Sequence, residues 1–150
     1  MSNVLNLLIE QARKKADELA KAQAETRQRI VTGQEKLAML DHYKGDCQSK
    51  LHSQAAQSSV SMALWGNQQA FVGKIDHALQ QQRQELVFLE QTLQQQQQNY
   101  QACLAQQRKF EALLDREAKK QAHREAKRDQ KMNDEFAARI HRVNTAGETQ

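Results

Sequence analysis

Apolar residues recur along the first third of the chain at alternate steps of four and three. Starting from Leu5, these steps reach Ile9, Ala12, Ala16, Leu19, Gln23, Thr26, Ile30, Gly33, Leu37, Leu40, Lys44, Cys47 and Leu51. Ten of the fourteen positions are apolar, and Thr26 and Gly33 are small. A helix needs this period to keep one face on a partner helix. Leu8, Ala22 and Tyr43 lie beside the stripe and widen it. A second stripe runs through Trp65, Val72, Leu79, Leu86, Leu93, Tyr100, Gln107 and Leu114. Its companions are Gln68, Ile75, Gln82, Leu89, Gln96, Cys103 and Phe110, so eleven of fifteen positions are apolar. Beyond Leu114 the stripe drifts to Ala118, Ala122, Met132, Phe136, Ile140 and Val143, with charges between them.

Between the stripes, His52 to Ser61 holds four serines and no strong apolar period. It is the best turn candidate, although without Gly or Pro the helices can run into it. The pattern predicts helix one over about residues 3–52, a turn over about 53–62, helix two over about 63–143, and a frayed tail over 144–150. Two such stripes joined by one turn give an all-α fold. The two long helices form an antiparallel coiled-coil hairpin, a single coiled-coil domain over residues 1–150. At about 1.5 Å per residue, helix one reaches roughly 75 Å and helix two roughly 120 Å, so helix two carries a C-terminal overhang. With the turn centred near residue 58, residues 40–47 face residues 69–76, and Cys103 faces residues near 13. That register holds Cys47 and Cys103 apart and excludes an internal disulfide. The glutamine run Gln94 to Gln98 leaves the stripe intact, because Leu93 and Tyr100 keep the period across it.

Composition agrees with this reading. Proline is absent and glycine occurs five times among 150 residues, which removes most helix breakers. A hydrophobic share of 39% with 27% charge suits a chain that buries one narrow seam, with no deep pocket expected. The net charge of +4 permits contact with acidic surfaces without demanding nucleic acid. The apolar run near Met1 to Glu10 is far too short for a signal or membrane helix, so a soluble, cytosolic protein is expected.

Candidate chemistry is sparse. The sequence contains no Gly-rich phosphate loop, no Cys-x-x-Cys and no His-Glu-x-x-His. His42, His52, His77, His123 and His141 are scattered, and none pairs with another at i, i+4 spacing. No catalytic, metal or cofactor site is expected, and the chain reads as a binding protein, not an enzyme.

Two regions invite partners. Asp115 to Arg142 holds nine Lys or Arg and six Asp or Glu. A solvated helix laced with i, i+4 neighbours accounts for the charges. It does not account for Met132, Phe136 and Ile140, whose apolar stripe has no internal partner. Near the turn, Tyr43 and Phe71 lie off their seams and can share one surface. They are open to two readings, residues flanking the seam or anchors of a binding patch.

These residues carry a resemblance. Arg128-Asp-Gln-Lys-Met-Asn-Asp-Glu-Phe-Ala-Ala-Arg139 resembles the C-terminal motif of the FliJ family, stalk components of the bacterial flagellar type III export apparatus. Lys36-Leu-Ala-Met-Leu-Asp-His-Tyr43 and Trp65-Gly-Asn-Gln-Gln-Ala-Phe71 are similar to the family's pattern around its hairpin end. The resemblance implies a central stalk that inserts its paired termini into the hexameric export ATPase ring and promotes ring assembly. It also implies a link from that ring to the membrane export-gate protein, and the handling of export chaperones. Localisation would be cytoplasmic, peripherally associated with the inner membrane, without direct insertion and without nucleic acid. By position, the gate-binding face falls on Leu40, Tyr43, Phe71, Ile75 and Ala78. Lys36, Cys47 and Gln82 fall on that face too but depart from the family's residue types. The ring-binding residues would be Arg124, Arg128, Lys131, Asp134, Glu135 and Phe136.

Rival readings predict the same helices. They are the equivalent stalk of a virulence-type type III secretion system and a generic structural coiled-coil adaptor. A nucleic-acid-binding helix is disfavoured by the six acidic residues of the overhang, and a membrane-surface helix by its lack of a broad apolar face.

Overall fold

The structure, a computed structural model, describes residues 2–56 and 62–148. Every described residue is helical: α1 spans Ser2–Ala56 and the longer α2 spans Met62–Glu148. The two helices pack against each other along the predicted seams. All fourteen α1 seam positions and all fifteen α2 seam positions are buried or half-buried. Off the seams, α1 shields only Leu8, Ala22 and Gln54 to a comparable degree. The chain divides into two compact units, one of Lys15–Ala102 and one of Met1–Lys14 with Cys103–Gln150.

In the Lys15–Ala102 unit, the hydrophobic core holds Ala16, Leu51, Ile75, Leu79, Leu86 and Leu89, with Leu79 only 1% exposed. Contacts between the helices fix an antiparallel order. Gln23 Nε2 donates to the Gln96 carbonyl at 3.2 Å, and Gln82 Nε2 donates to the Gly33 carbonyl at 3.4 Å. Nearer the turn, Lys44 pairs with Asp76 and the Tyr43 ring meets the Phe71 ring. Residue numbers rise on α1 as they fall on α2, as the hairpin register requires.

Of the five glycines, only Gly33 has partner side chains pressed against its backbone. A Cβ there would lie 2.8 Å from Leu86 Cδ2 and 2.9 Å from Gln82 Nε2, well inside van der Waals contact. Gln23, Thr26 and Gln82 are buried polar residues, and each makes a bond. Thr26 does so locally, its hydroxyl donating to the Ala22 carbonyl at 3.0 Å. A polar group without water needs such a partner to avoid an uncompensated desolvation cost.

In the other unit, Ile9 of α1 and Cys103 of α2 are buried. The Cys103 thiol donates to the Ala12 carbonyl at 3.3 Å, and Arg13 pairs with Glu111 at 3.7 Å. Both cysteines are free, Cys47 half-buried and Cys103 buried. After Glu117, every residue through Gly147 whose burial is described is exposed.

Helix ends differ from the sequence boundaries. Residues 53–56, expected within the turn, continue α1, and Met62 already belongs to α2. The remainder of the expected turn, 57–61, lies outside the described residues. Residues 144–148, expected to fray, are helical. No Pro interrupts either stretch, and α-helical hydrogen bonds need no tertiary partner. Thr145 Oγ1 also donates back to the His141 and Arg142 carbonyls, at 2.8 and 3.0 Å.

Leu79→Ala should lower stability by about 2–5 kcal/mol, because the cavity it leaves lies in a tightly packed seam. Phe136→Ala, at a largely exposed site, should change stability by less than about 0.5 kcal/mol. Denaturant midpoints followed by helical circular dichroism test both.

Candidate docking sites

The first site lies in the Lys15–Ala102 unit. Tyr43 and Phe71 occupy flanking positions of the two seams, which an antiparallel pair of helices brings face to face. Their ring centroids are 6.1 Å apart with planes at 78°, an edge-to-face contact that suits aromatic quadrupoles. Tyr43 is 50% exposed and Phe71 45% exposed, so the pair shields its inner edges and presents the rest outward.

Beside the pair, Lys44 occupies a seam position that a charge could not fill alone. Its stem takes the half-buried place and its ammonium reaches Asp76 on α2, a way for lysine to bury methylenes and keep its charge partnered. The contact ties α1 to α2 next to the rings.

Of the other residues expected on this face, Leu40 and Ala78 are half-buried. Ile75 is 5% exposed and belongs to the core. It offers little surface. Lys36 is exposed and Cys47 half-buried, whereas Gln82 is turned into the seam toward the Gly33 carbonyl. Met39 was not marked by the seam, yet it lies four residues before Tyr43 on the same helix face and is largely exposed. An apolar residue outside the seam, one turn from an aromatic, was the available signal. Val87 and Phe88 are likewise exposed and unmarked.

The second site is the part of α2 beyond Glu117. Asp115 and Lys119 form an i, i+4 pair at 3.0 Å where it begins. Further along, Arg124, Arg128, Lys131 and Glu135 follow one another at helical spacing along one face, with Asp134 beside them. All are exposed, and among the described residues none of them makes an ion pair within 4.0 Å. Met132, Phe136 and Ile140 form an adjacent apolar stripe at i, i+4, i+8, with Phe136 65% exposed. Phe136 and Met132 share a shallow groove with Asn133, Glu135 and Arg139. The same unit exposes Val4, Leu7 and Leu113, which the seam did not mark because they lie off its stripe.

Among the described residues, no group of three or more His, Cys, Asp and Glu converges to hold a metal. The concavity lined by Ala20, Gln23, Arg27, Gln94, Gln97, Gln98, Tyr100 and Gln101, about 850 Å³, is an open groove dominated by amides. No helix of the described residues is long and apolar enough to cross a membrane.

Paired helices that leave an aromatic patch and a charged, apolar-striped helix end uncovered define a coiled-coil interaction protein. The family model described as Flagellar FliJ protein matches residues 1–146, and the chain belongs to the FliJ family. Membership makes it a stalk-type protein of flagellar type III export, associated with components of that apparatus. No curated protein and no solved structure matches the chain.

A double-mutant cycle of Tyr43→Ala and Phe71→Ala should return a coupling of about 0.5–1.5 kcal/mol in unfolding free energy, the worth of an edge-to-face pair beyond area burial. A coupling near zero would mean that the rings are neighbours without being partners.

Proposed function

We propose that the chain is the stalk that enters the hexameric export ATPase ring, promotes ring assembly, and connects the ring to the membrane export-gate protein. The observation that carries this reading is the uncovered end of α2. Arg124, Arg128, Lys131, Asp134 and Glu135 make no ion pair within 4.0 Å among the described residues, and Met132, Phe136 and Ile140 stand exposed beside them. Such a surface is suited to another protein.

On this reading Arg124, Arg128, Lys131, Asp134, Glu135 and Phe136 touch the ring. Mixed, exposed charges suit a contact that must not freeze in one orientation, because each such pair is worth well under about 1 kcal/mol. A broad apolar face there would hold the ring in one place. Tyr43 and Phe71, with Leu40 and Ala78 at their margin and the buried Ile75, form the gate-binding patch. Aromatic anchors on a firm base are the usual centres of binding energy in interfaces.

Export chaperones are the remaining partners, and the site is cytoplasmic, peripheral to the inner membrane. The family match favours the flagellar apparatus over a virulence-type system.

Replacing Arg124, Arg128 and Lys131 together by Gln should reduce stimulation of the export ATPase and leave helicity unchanged. Full stimulation by this variant would reject the ring assignment. Tyr43→Ala and Phe71→Ala should each weaken binding to the purified cytoplasmic region of the gate protein by about 5–30-fold, with ATPase stimulation retained.

A further inference from the structure

We propose that Gly33 and Gln82 form a register key, a matched gap and plug that holds α1 and α2 at a single heptad offset and thereby places Tyr43 against Phe71. All four residues lie in the Lys15–Ala102 unit.

The need for a key follows from the seams themselves. A stripe of Leu, Ile and Ala repeating every heptad packs about equally well after a slip of seven residues, roughly 10 Å along the helix. Something other than apolar burial must choose the offset. Buried polar residues in coiled-coil seams are the best attested choosers.

Gln82 meets that description. It is 8% exposed, its amide nitrogen donates to the Gly33 carbonyl, and it sits in the space that a side chain at 33 would fill. Leu86 fills the rest of that space. A heptad slip in one direction would bring Gln82 to Thr26, whose side chain occupies the space that Gly33 leaves open. A slip in the other direction would bring it to Leu40, whose bulk leaves no room for the amide. Among the seam positions of α1, only 33 is a glycine.

Two further contacts agree with the offset without creating the gap. Gln23 reaches the Gln96 carbonyl, and Lys44 reaches Asp76. In the slipped arrangements Gln96 would face Ala16 or Ile30, and Asp76 would face Leu37 or Leu51. The Gln96 carbonyl would lose its amide donor and the Asp76 carboxylate its ammonium.

The key acts within the chain, so its test needs no export partner, and its failure would leave the export reading standing. In a chain carrying Cys47→Ala and Cys103→Ala, the pair Tyr43→Cys/Phe71→Cys should join efficiently through a short bifunctional thiol cross-linker. The pair Lys36→Cys/Phe71→Cys should not. Moving the gap one heptad, with Thr26→Gly and Gly33→Leu together, should reverse the result. The first link should fall at least tenfold and the second should appear. Loss of the first link without gain of the second also supports the key, since it marks a helical chain with no single offset. Should the relocated chain lose helicity, Gln82→Leu decides, because it removes the plug without crowding the glycine. Its first link should fall at least threefold. The key is overturned if the first link falls less than tenfold in a helical relocated chain, or less than threefold in Gln82→Leu.

Discussion

Burial of one narrow apolar stripe on each helix is the constraint from which the remaining features follow. Each helix buries one stripe against the other, and outside the seams polar residues predominate, with exposed apolar residues such as Met39, Val87 and Phe88 among them. The hydrophobic contribution is therefore spread thinly along many layers, with few residues as completely enclosed as Leu79. A seam so narrow leaves its flanking positions half in water. Tyr43 and Phe71 are exposed for that reason, even though they touch across the helix pair.

The same constraint explains why α2 changes character after Glu117. There the partner stretch of α1 ends, and no described residue beyond it is shielded. Helix propensity alone must carry the backbone, and the composition is fitted to it, with Ala, Lys, Arg, Glu and Gln predominating. Because such a helix gains nothing from its own core, apolar residues kept on it are unlinked to the chain's stability. Met132, Phe136 and Ile140 are exposed there, and membership of the FliJ family associates the chain with components of the flagellar export apparatus.

Much of the fold was legible in the sequence because a heptad seam is a long, repetitive signal that local exceptions do not erase. Gln23, Thr26, Gly33, Lys44, Gln82 and Gln96 all break the apolar rule, yet the period places each of them in the seam, where the structure has them. What periodicity does not carry is the reason for each exception. That Gln82 plugs the gap at Gly33, or that Lys44 answers Asp76, depends on two distant segments meeting. The gate-binding role of Ile75 comes from the resemblance, whereas its seam position accounts for its burial. Helix ends were the least legible, since residues 53–56 and 144–148 lack strong stop signals and simply continue their helices.

We propose that the chain holds two different partners, one at the Tyr43–Phe71 patch and one on α2 beyond Glu117. Site-specific photo-cross-linking in flagellated cells, with a photoreactive residue in place of Phe71 or of Phe136, tests it most directly. The account predicts two distinct products by mass spectrometry, the export-gate protein captured at 71 and the export ATPase captured at 136. The same partner at both positions, or none at either, would contradict it.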